Sequence, residues 1–325
     1  MGTNPVHPLE PRRVNQSKPS VTTRSAKTYG LFGRVLPIFL FRGSFAFASL
    51  LTSLFLIASS QAQDLVSFDA DIRAGTTEQK RDALFRIRNL RSEIASRAAI
   101  PALSDPEPII RATAAGAVTH LPKPEAVAVL APLLNDKDAF VRKEGAYALG
   151  STESPDAAGP LIEFLHREKD LEAKGAAVVA LGQTGNRSAV ESLILLLKRK
   201  PHEDEEFLRR SAARSIGQIA QINRTGNIRV VTPQSFLPEK FKELTGDDMT
   251  TQFPVLSSAV VTLGSVLQNK READDTRREA AFGLGAIASR DAIAVLEVSR
   301  NSPDPYLAEI ALEALAKIAS ANPVN

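Results

Sequence analysis

The stretch DKDAFVRKEGAYALG, residues 136–150, decides the fold. It opens on an acidic turn and continues into a helix of small residues. Val141, Ala146 and Leu149 recur at helical spacing on one face, with no alternation of the kind a strand needs. The closing ALG has counterparts further on. VVALG ends at Gly182, ARSIG at Gly217 and FGLG at Gly285, so the steps from Gly150 are 32, 35 and 68. The last step is one period plus an insertion. A fixed period of this size marks a helical solenoid.

Each unit reads as an acidic turn, a small-residue helix, a short break and a Leu-rich helix. Sliding the pattern back places Arg111 and then Lys80 on Arg142, so the first unit opens at Glu78–Leu90. Lys174, Arg209 and Arg277 hold the same basic position further on. Leu315 and Ala316 replace Leu-Gly in a last helix, which reads as a terminal cap. Gly145, Ala146, Ala176, Ala177, Ala212 and Ala280 let neighbouring helices approach closely. The turn glycines fit the left-handed residue that closes a helix. One such pair cannot bury its apolar face alone, so each unit leans on its neighbours.

An acid, four intervening residues, then Val-Arg and Ala-x-Ala-Leu-Gly resembles the HEAT family, in the short form named after phycobilisome lyases. The resemblance covers about residues 76–319 in roughly six units and a final helix. It implies an all-α fold, a right-handed α-solenoid (superhelix) of HEAT-like helix pairs. It implies little about activity, because scaffolds, lyase subunits and a few enzymes share the repeat.

Residues 1–62 differ from the rest. Seven basic residues (Arg12, Arg13, Lys18, Arg24, Lys27, Arg34, Arg42) face one acid, Glu10. Phe45 to Ala58 is almost wholly apolar, and Ser60-Gln61-Ala62 supplies small residues where a signal peptidase reads. This predicts a secretory signal cleaved after Ala62. The alternative is an uncleaved membrane anchor through Phe45–Ala58, although a span needs about 20 apolar residues. The expected destination is the periplasm or cell envelope. The expected domains are thus a leader at 1–62 and a solenoid at 63–325, interrupted by an insertion at about 221–253.

The leader also reverses the charge argument. The chain has 40 basic and 37 acidic residues, and the leader alone carries 7 − 1 = +6, leaving 33 − 36 = −3. The basic balance therefore belongs to the leader, which argues against a nucleic-acid partner. With no Cys, disulfides, thiol chemistry and lipid-modified cysteine are excluded.

Signals for chemistry are weak. Acid and base recur at a fixed offset as Asp105/Arg111, Asp136/Arg142, Glu168/Lys174 and Glu203/Arg209. The structural reading has the acid capping the first helix and the base pairing with an acid along the stack; a ligand-gripping ladder is the alternative. Gly283-Leu284-Gly285 through Ala288 matches a loose dinucleotide pattern, but a helix precedes it where a strand is required. His202-Glu203 is similar to the His-Glu pairs with which HEAT-built deoxyhypusine hydroxylases hold two irons. Neither His120 nor His166 is followed by Glu, so that site would lack ligands. The acids Glu203 to Glu206 read as a solvated turn. Bilin attachment is implied only by the repeat type, and a secretory leader opposes it.

The insertion, from Gln221, contains an extended-looking piece at 227–232 and a helix candidate at 238–245. Its Phe236, Phe241 and Phe253 are expected to fold back over the helix ridge, with partner contact as the alternative. The reading is a non-catalytic protein-interaction scaffold that is exported and binds a protein partner along a concave face of second helices. The alternatives are a lyase or enzyme-accessory subunit, and a membrane-anchored envelope adaptor. Candidate partner-binding residues are Phe236, Lys240 and Phe241 of the insertion and Glu163, His166, Arg167, Glu191, Lys198 and Arg199 of the second helices. No cofactor, metal or small-molecule substrate is expected, and membrane contact only if the leader is retained.

Overall fold

The computed structural model describes residues 66–228, 232–244 and 246–321. The leader, its cleavage site and the apolar run lie outside the described residues, as does part of the extended piece expected at 227–232. The described residues form helices and turns, with no strand among them. No helix among them is long and apolar enough to cross a membrane.

Residues 66–74 are helical (α1) and bury Phe68 and Ile72. Six helix pairs follow: α2 (Thr77–Leu90) with α3 (Glu93–Ala99), α4 (Pro108–Ala117) with α5 (Lys123–Leu130), α6 (Ala139–Ser151) with α7 (Ala158–Arg167), and α8 (Leu171–Thr184) with α9 (Val190–Lys198). In the fifth pair, α10 (Glu206–Thr225) is separated from α12 (Val255–Gln268) by the insertion, which carries one short turn of helix, α11 (Met249–Gln252). The sixth is α13 (Asp274–Ile287) with α14 (Ile293–Ser299), and α15 (Pro305–Ala321) is the terminal cap. First helices pack on first helices, α2 on α4, α6, α8, α10, α13 and α15 in turn, while second helices form the other layer. The chain is an all-α solenoid, as the period predicts.

The repeat glycines do something other than expected. Gly150, Gly182, Gly217 and Gly285 lie inside first helices and are not their left-handed terminators. Each sits where the next first helix crosses. A Cβ on Gly150 would lie 2.7 Å from Ala180 Cα, one on Gly217 2.9 Å from Gly283 Cα, and one on Gly285 2.8 Å from Ala314 Cα. Glycine is required because a neighbouring backbone or side-chain base occupies the space a side chain needs. α15 carries Ala316 in that register, and no first helix follows it among the described residues. The left-handed positions are Gly185 (φ 65°) and Gly226 (φ 70°), with Arg91, Glu153 and Ala288 in the same region.

Helix starts also refine the expectation. Asp138 caps α6, accepting from Phe140 N at 2.9 Å, and Asp170 caps α8, accepting from Ala173 N at 2.9 Å. Asp136 and Glu168 sit two residues earlier. They hold the turn by accepting from Asp138 N and Asp170 N, each at 2.9 Å, and receive a cation from the preceding unit. Lys80–Asp105 (2.6 Å), Arg111–Asp136 (2.7 Å) and Arg142–Glu168 (2.6 Å) therefore run from unit to unit. Arg209 likewise pairs along the stack, with Glu272 from beyond the insertion. The ladder is structural, as its recurrence in successive units implies.

The insertion begins later than Gln221. α10 continues five residues further because Gln221 is itself buried, and it stops only at Gly226. The expected helix at 238–245 is instead one 3₁₀ turn, Glu239–Phe241 after Pro238, with another, Gln234–Phe236 after Pro233, ahead of it; Thr245 lies outside the described residues. The segment reaches out to α15, where Thr232 Oγ1 donates to Glu313 (3.2 Å) and Ser235 Oγ donates to Glu309 (2.8 Å). It returns to bury Met249 and to seat Phe253 under the Arg187 guanidinium, 3.8 Å from the ring centroid. Only Phe253 behaves as the packing expectation required. Phe236 and Phe241 stay 75% and 59% exposed.

Candidate functional site

A concavity of about 1040 Å³ lies on the first-helix layer, between α2, α4 and α6. Three helix faces build it. On α6, Phe140, Glu144 and Tyr147 recur at i, i+4 and i+7 and so share one stripe. On α2, Phe85 and Arg88 lie one turn apart, and Arg91 follows at the left-handed residue that ends the helix, φ 48°. On α4, Gly116 leaves room for Arg88, whose Nη1 would be 3.5 Å from a Cβ there. Phe85 and Phe140 remain 59% and 42% exposed, although large apolar side chains ordinarily find cover.

His120 follows α4 and is only partly exposed. Thr119 Oγ1 donates to the Gly116 carbonyl at 3.1 Å and lies 3.2 Å from His120 Nδ1. Burial lowers the pKa of His120, and the nearby Arg91 and Arg88 lower it further. The imidazole is therefore neutral at pH 7. Burial raises the pKa of Tyr147, so its phenol stays protonated. The groove therefore places an imidazole and a phenol among aromatic walls.

The residues singled out from sequence lie elsewhere, in two groups. Glu163, His166, Arg167, Glu191, Lys198 and Arg199 are on or beside α7 and α9, in the second-helix layer. There Glu163 pairs with Arg167 (3.2 Å), His166 Nε2 meets Ser192 Oγ of the next unit (3.1 Å), and Arg199 pairs with Glu205 (2.7 Å). Phe236 lines a smaller cleft of about 360 Å³ against α13 and α15, with Arg278 and Tyr306. Lys240 sits 4.9 Å from the Phe241 ring centroid. The fold does not bring the two groups together. The groove was missed because a concave second-helix face was assumed. Its signal in the sequence was Arg91 and Glu153 at the helix-terminating position that Gly185 fills elsewhere, and both line the groove.

A metal centre fits these residues poorly. His202 is exposed on a turn, its Nδ1 accepting from Asp204 N at 3.3 Å. No three His, Asp or Glu side chains converge as ligands among the described residues.

Comparison with known proteins agrees on the repeat and changes the functional reading. A family described as HEAT repeats matches residues 96–181, and one described as PBS lyase HEAT-like repeat matches residues 276–297. Deoxyhypusine hydroxylase-B of Oryza sativa subsp. japonica is 28% identical over 262 residues, 73% of this chain and 85% of the relative. Bilin biosynthesis protein PecE of Mastigocladus laminosus is 37% identical over 68 residues, 21% of this chain and 25% of the relative. Among solved structures, the CpcE–CpcF complex of phycocyanin lyase from Nostoc is 23% identical with a TM-score of 0.43, covering 76% of this chain and 85% of the other. Human deoxyhypusine hydroxylase is 17% identical with a TM-score of 0.31, covering 81% and 97%. The expectation of a non-catalytic scaffold that is no enzyme is corrected by these relatives, which are a hydroxylase and a protein of bilin biosynthesis. The stack from α2 to α15 is a solenoid of HEAT-like repeats.

Proposed function

We propose that this chain is a lyase-type or enzyme-accessory subunit of the HEAT-repeat group, which seats its substrate in the groove between α2, α4 and α6 and works with a protein partner. The observation that carries the reading is that groove. It combines exposed aromatic rings, an imidazole and two guanidinium groups that pair with no carboxylate among the described residues. The relative named for bilin biosynthesis supports the class. Titration of the purified chain with a linear tetrapyrrole, followed by visible absorbance, tests it. Saturable binding that Tyr147→Ala and Phe140→Ala abolish supports the reading. Unchanged spectra, or changes indifferent to those variants, count against it.

A second reading, a hydroxylase-type enzyme, is favoured by the longer alignment, which spans 85% of the rice relative. The exposed turn of His202 and Glu203 speaks against it. Elemental analysis of the purified protein separates the two readings, since stoichiometric iron would favour the hydroxylase.

Export through residues 1–62 as a cleaved signal is a separate proposal, and it weighs against a bilin as the bound molecule. A mature protein beginning at Gln63 would support it, and an intact leader in the membrane fraction would favour the anchor.

A further inference from the structure

We propose that the groove takes a small organic anion with a flat apolar body, its acidic group received by Arg88 and Arg91 and its body laid against Phe85, Phe140 and Tyr147. The inference rests on the groove being the substrate seat, and it adds the chemical class and the orientation.

Four observations converge. First, the cations on this wall are uncommitted. Along the stack, Arg97, Arg111, Arg142, Arg209, Arg214 and Arg278 each pair with a carboxylate. No carboxylate pairs with Arg88 or Arg91 among the described residues, though both line the groove. A guanidinium presents a planar fork of donors suited to a carboxylate, sulfonate or phosphate. Second, Arg91 occupies a left-handed backbone position that glycine would fill without strain. Third, the exposed rings of Phe85 and Phe140 stand in the same groove and present flat apolar surface at small entropic cost. Fourth, the opposite wall is acidic: Glu144 and Glu153 belong to α6 and the turn after it. A ligand therefore lies with its acid toward α2 and away from α6.

The groups facing His120 define its part. Arg88 and Arg91 come from α2 and its end, Thr119 precedes it, and Glu144, Tyr147 and Glu153 line the far side. Burial, and then the guanidiniums of Arg91 and Arg88, oppose a positive charge on His120. A bound anion offsets that opposition, so binding and protonation of His120 favour each other.

Calorimetric titration of the full chain with 2-naphthoate, and with the neutral isostere 2-naphthamide, tests the inference. The expected result is at least tenfold tighter binding of the acid. That preference should vanish in the Arg88→Ala/Arg91→Ala double variant and fall steeply between low and high salt. Acid affinity should rise as pH falls from 8 to 6, and the rise should be lost in His120→Gln. Phe140→Ala should weaken both probes. All these side chains are at least partly exposed, and circular dichroism checks that each variant folds. Equal affinity for acid and amide, both weakened by Phe140→Ala, would overturn the anion assignment and leave the groove as a seat. Failure of both probes to bind, or binding indifferent to every groove variant, would overturn the inference and count against the seat itself.

Discussion

Arg209 Nε donates to Glu272 at 3.0 Å across 63 residues of sequence, with both side chains almost fully buried. The pair spans the insertion and joins α10 to the turn before α13. Two first helices that chain order separates are thus tied as directly as any consecutive pair. The same guanidinium donates to the carbonyls of Leu196, Leu197 and Arg199, so it also closes the end of α9.

Removing one partner of that pair should be costly. Arg209→Ala leaves Glu272 buried without its cation and three carbonyls without a donor, and should destabilise by about 3–5 kcal/mol. Glu272→Gln keeps a hydrogen-bond acceptor and should cost less. Chemical denaturation of both variants checks the order, and equal losses would contradict the capping role of Arg209.

The ladder makes stability depend on acid. The Arg142 guanidinium, with help from backbone amides, holds Glu168 at a pKa of about 2 against an ordinary value near 4.5. Its folded pKa is depressed, so the stabilisation is present above about pH 4.5 and is lost as pH falls toward 2. The shift corresponds to roughly 3 kcal/mol at neutral pH. Melting temperature recorded from pH 6 to pH 2 should fall less steeply in Arg142→Gln than in the parent protein. Parallel curves would contradict the assignment.

Glycines should divide by place rather than by type. Gly285→Ala forces a methyl group to within 2.8 Å of Ala314 Cα, and should cost about 1–3 kcal/mol by overpacking. Gly264→Ala meets only Val295 Cγ1 at 3.8 Å, within helix α12, and should gain up to about 1 kcal/mol from helix propensity. Thermal melts of the two variants should therefore move in opposite directions.

The insertion should loosen without unfolding the stack. Glu313 accepts from Thr232 Oγ1 and from the Gln234 amide, and it is a main tether of the segment on α15. Glu313→Ala should speed hydrogen exchange at Gln234 and Glu243 by tenfold or more, while amides of α6 and α8 keep their protection. Uniform loss of protection would show that the insertion supports the whole solenoid.

Much of this molecule was legible in residue order. The period and the apolar register of Val141, Ala146 and Leu149 determine paired helices, because a face of that spacing must be buried and only an adjacent unit can cover it. Unit count, the terminal helix and the unit-to-unit charge pairing followed from the same repetition. Other features depended on which backbones meet in space. Gly150 looked like a turn residue until Ala180 was found against it. Arg209 was expected to pair with an acid along the stack, and only the fold shows that this acid is Glu272, from beyond the insertion. Phe236 and Phe241 looked like core until the two prolines held their segment in short turns away from the ridge. The groove belongs to this second kind. Phe85, Arg88, His120, Phe140 and Tyr147 come from three successive units, and nothing in one repeat marks them as neighbours. Local periodicity determines which face of a helix is buried. The stacking of first helices on one another decides which exposed side chains share a cavity.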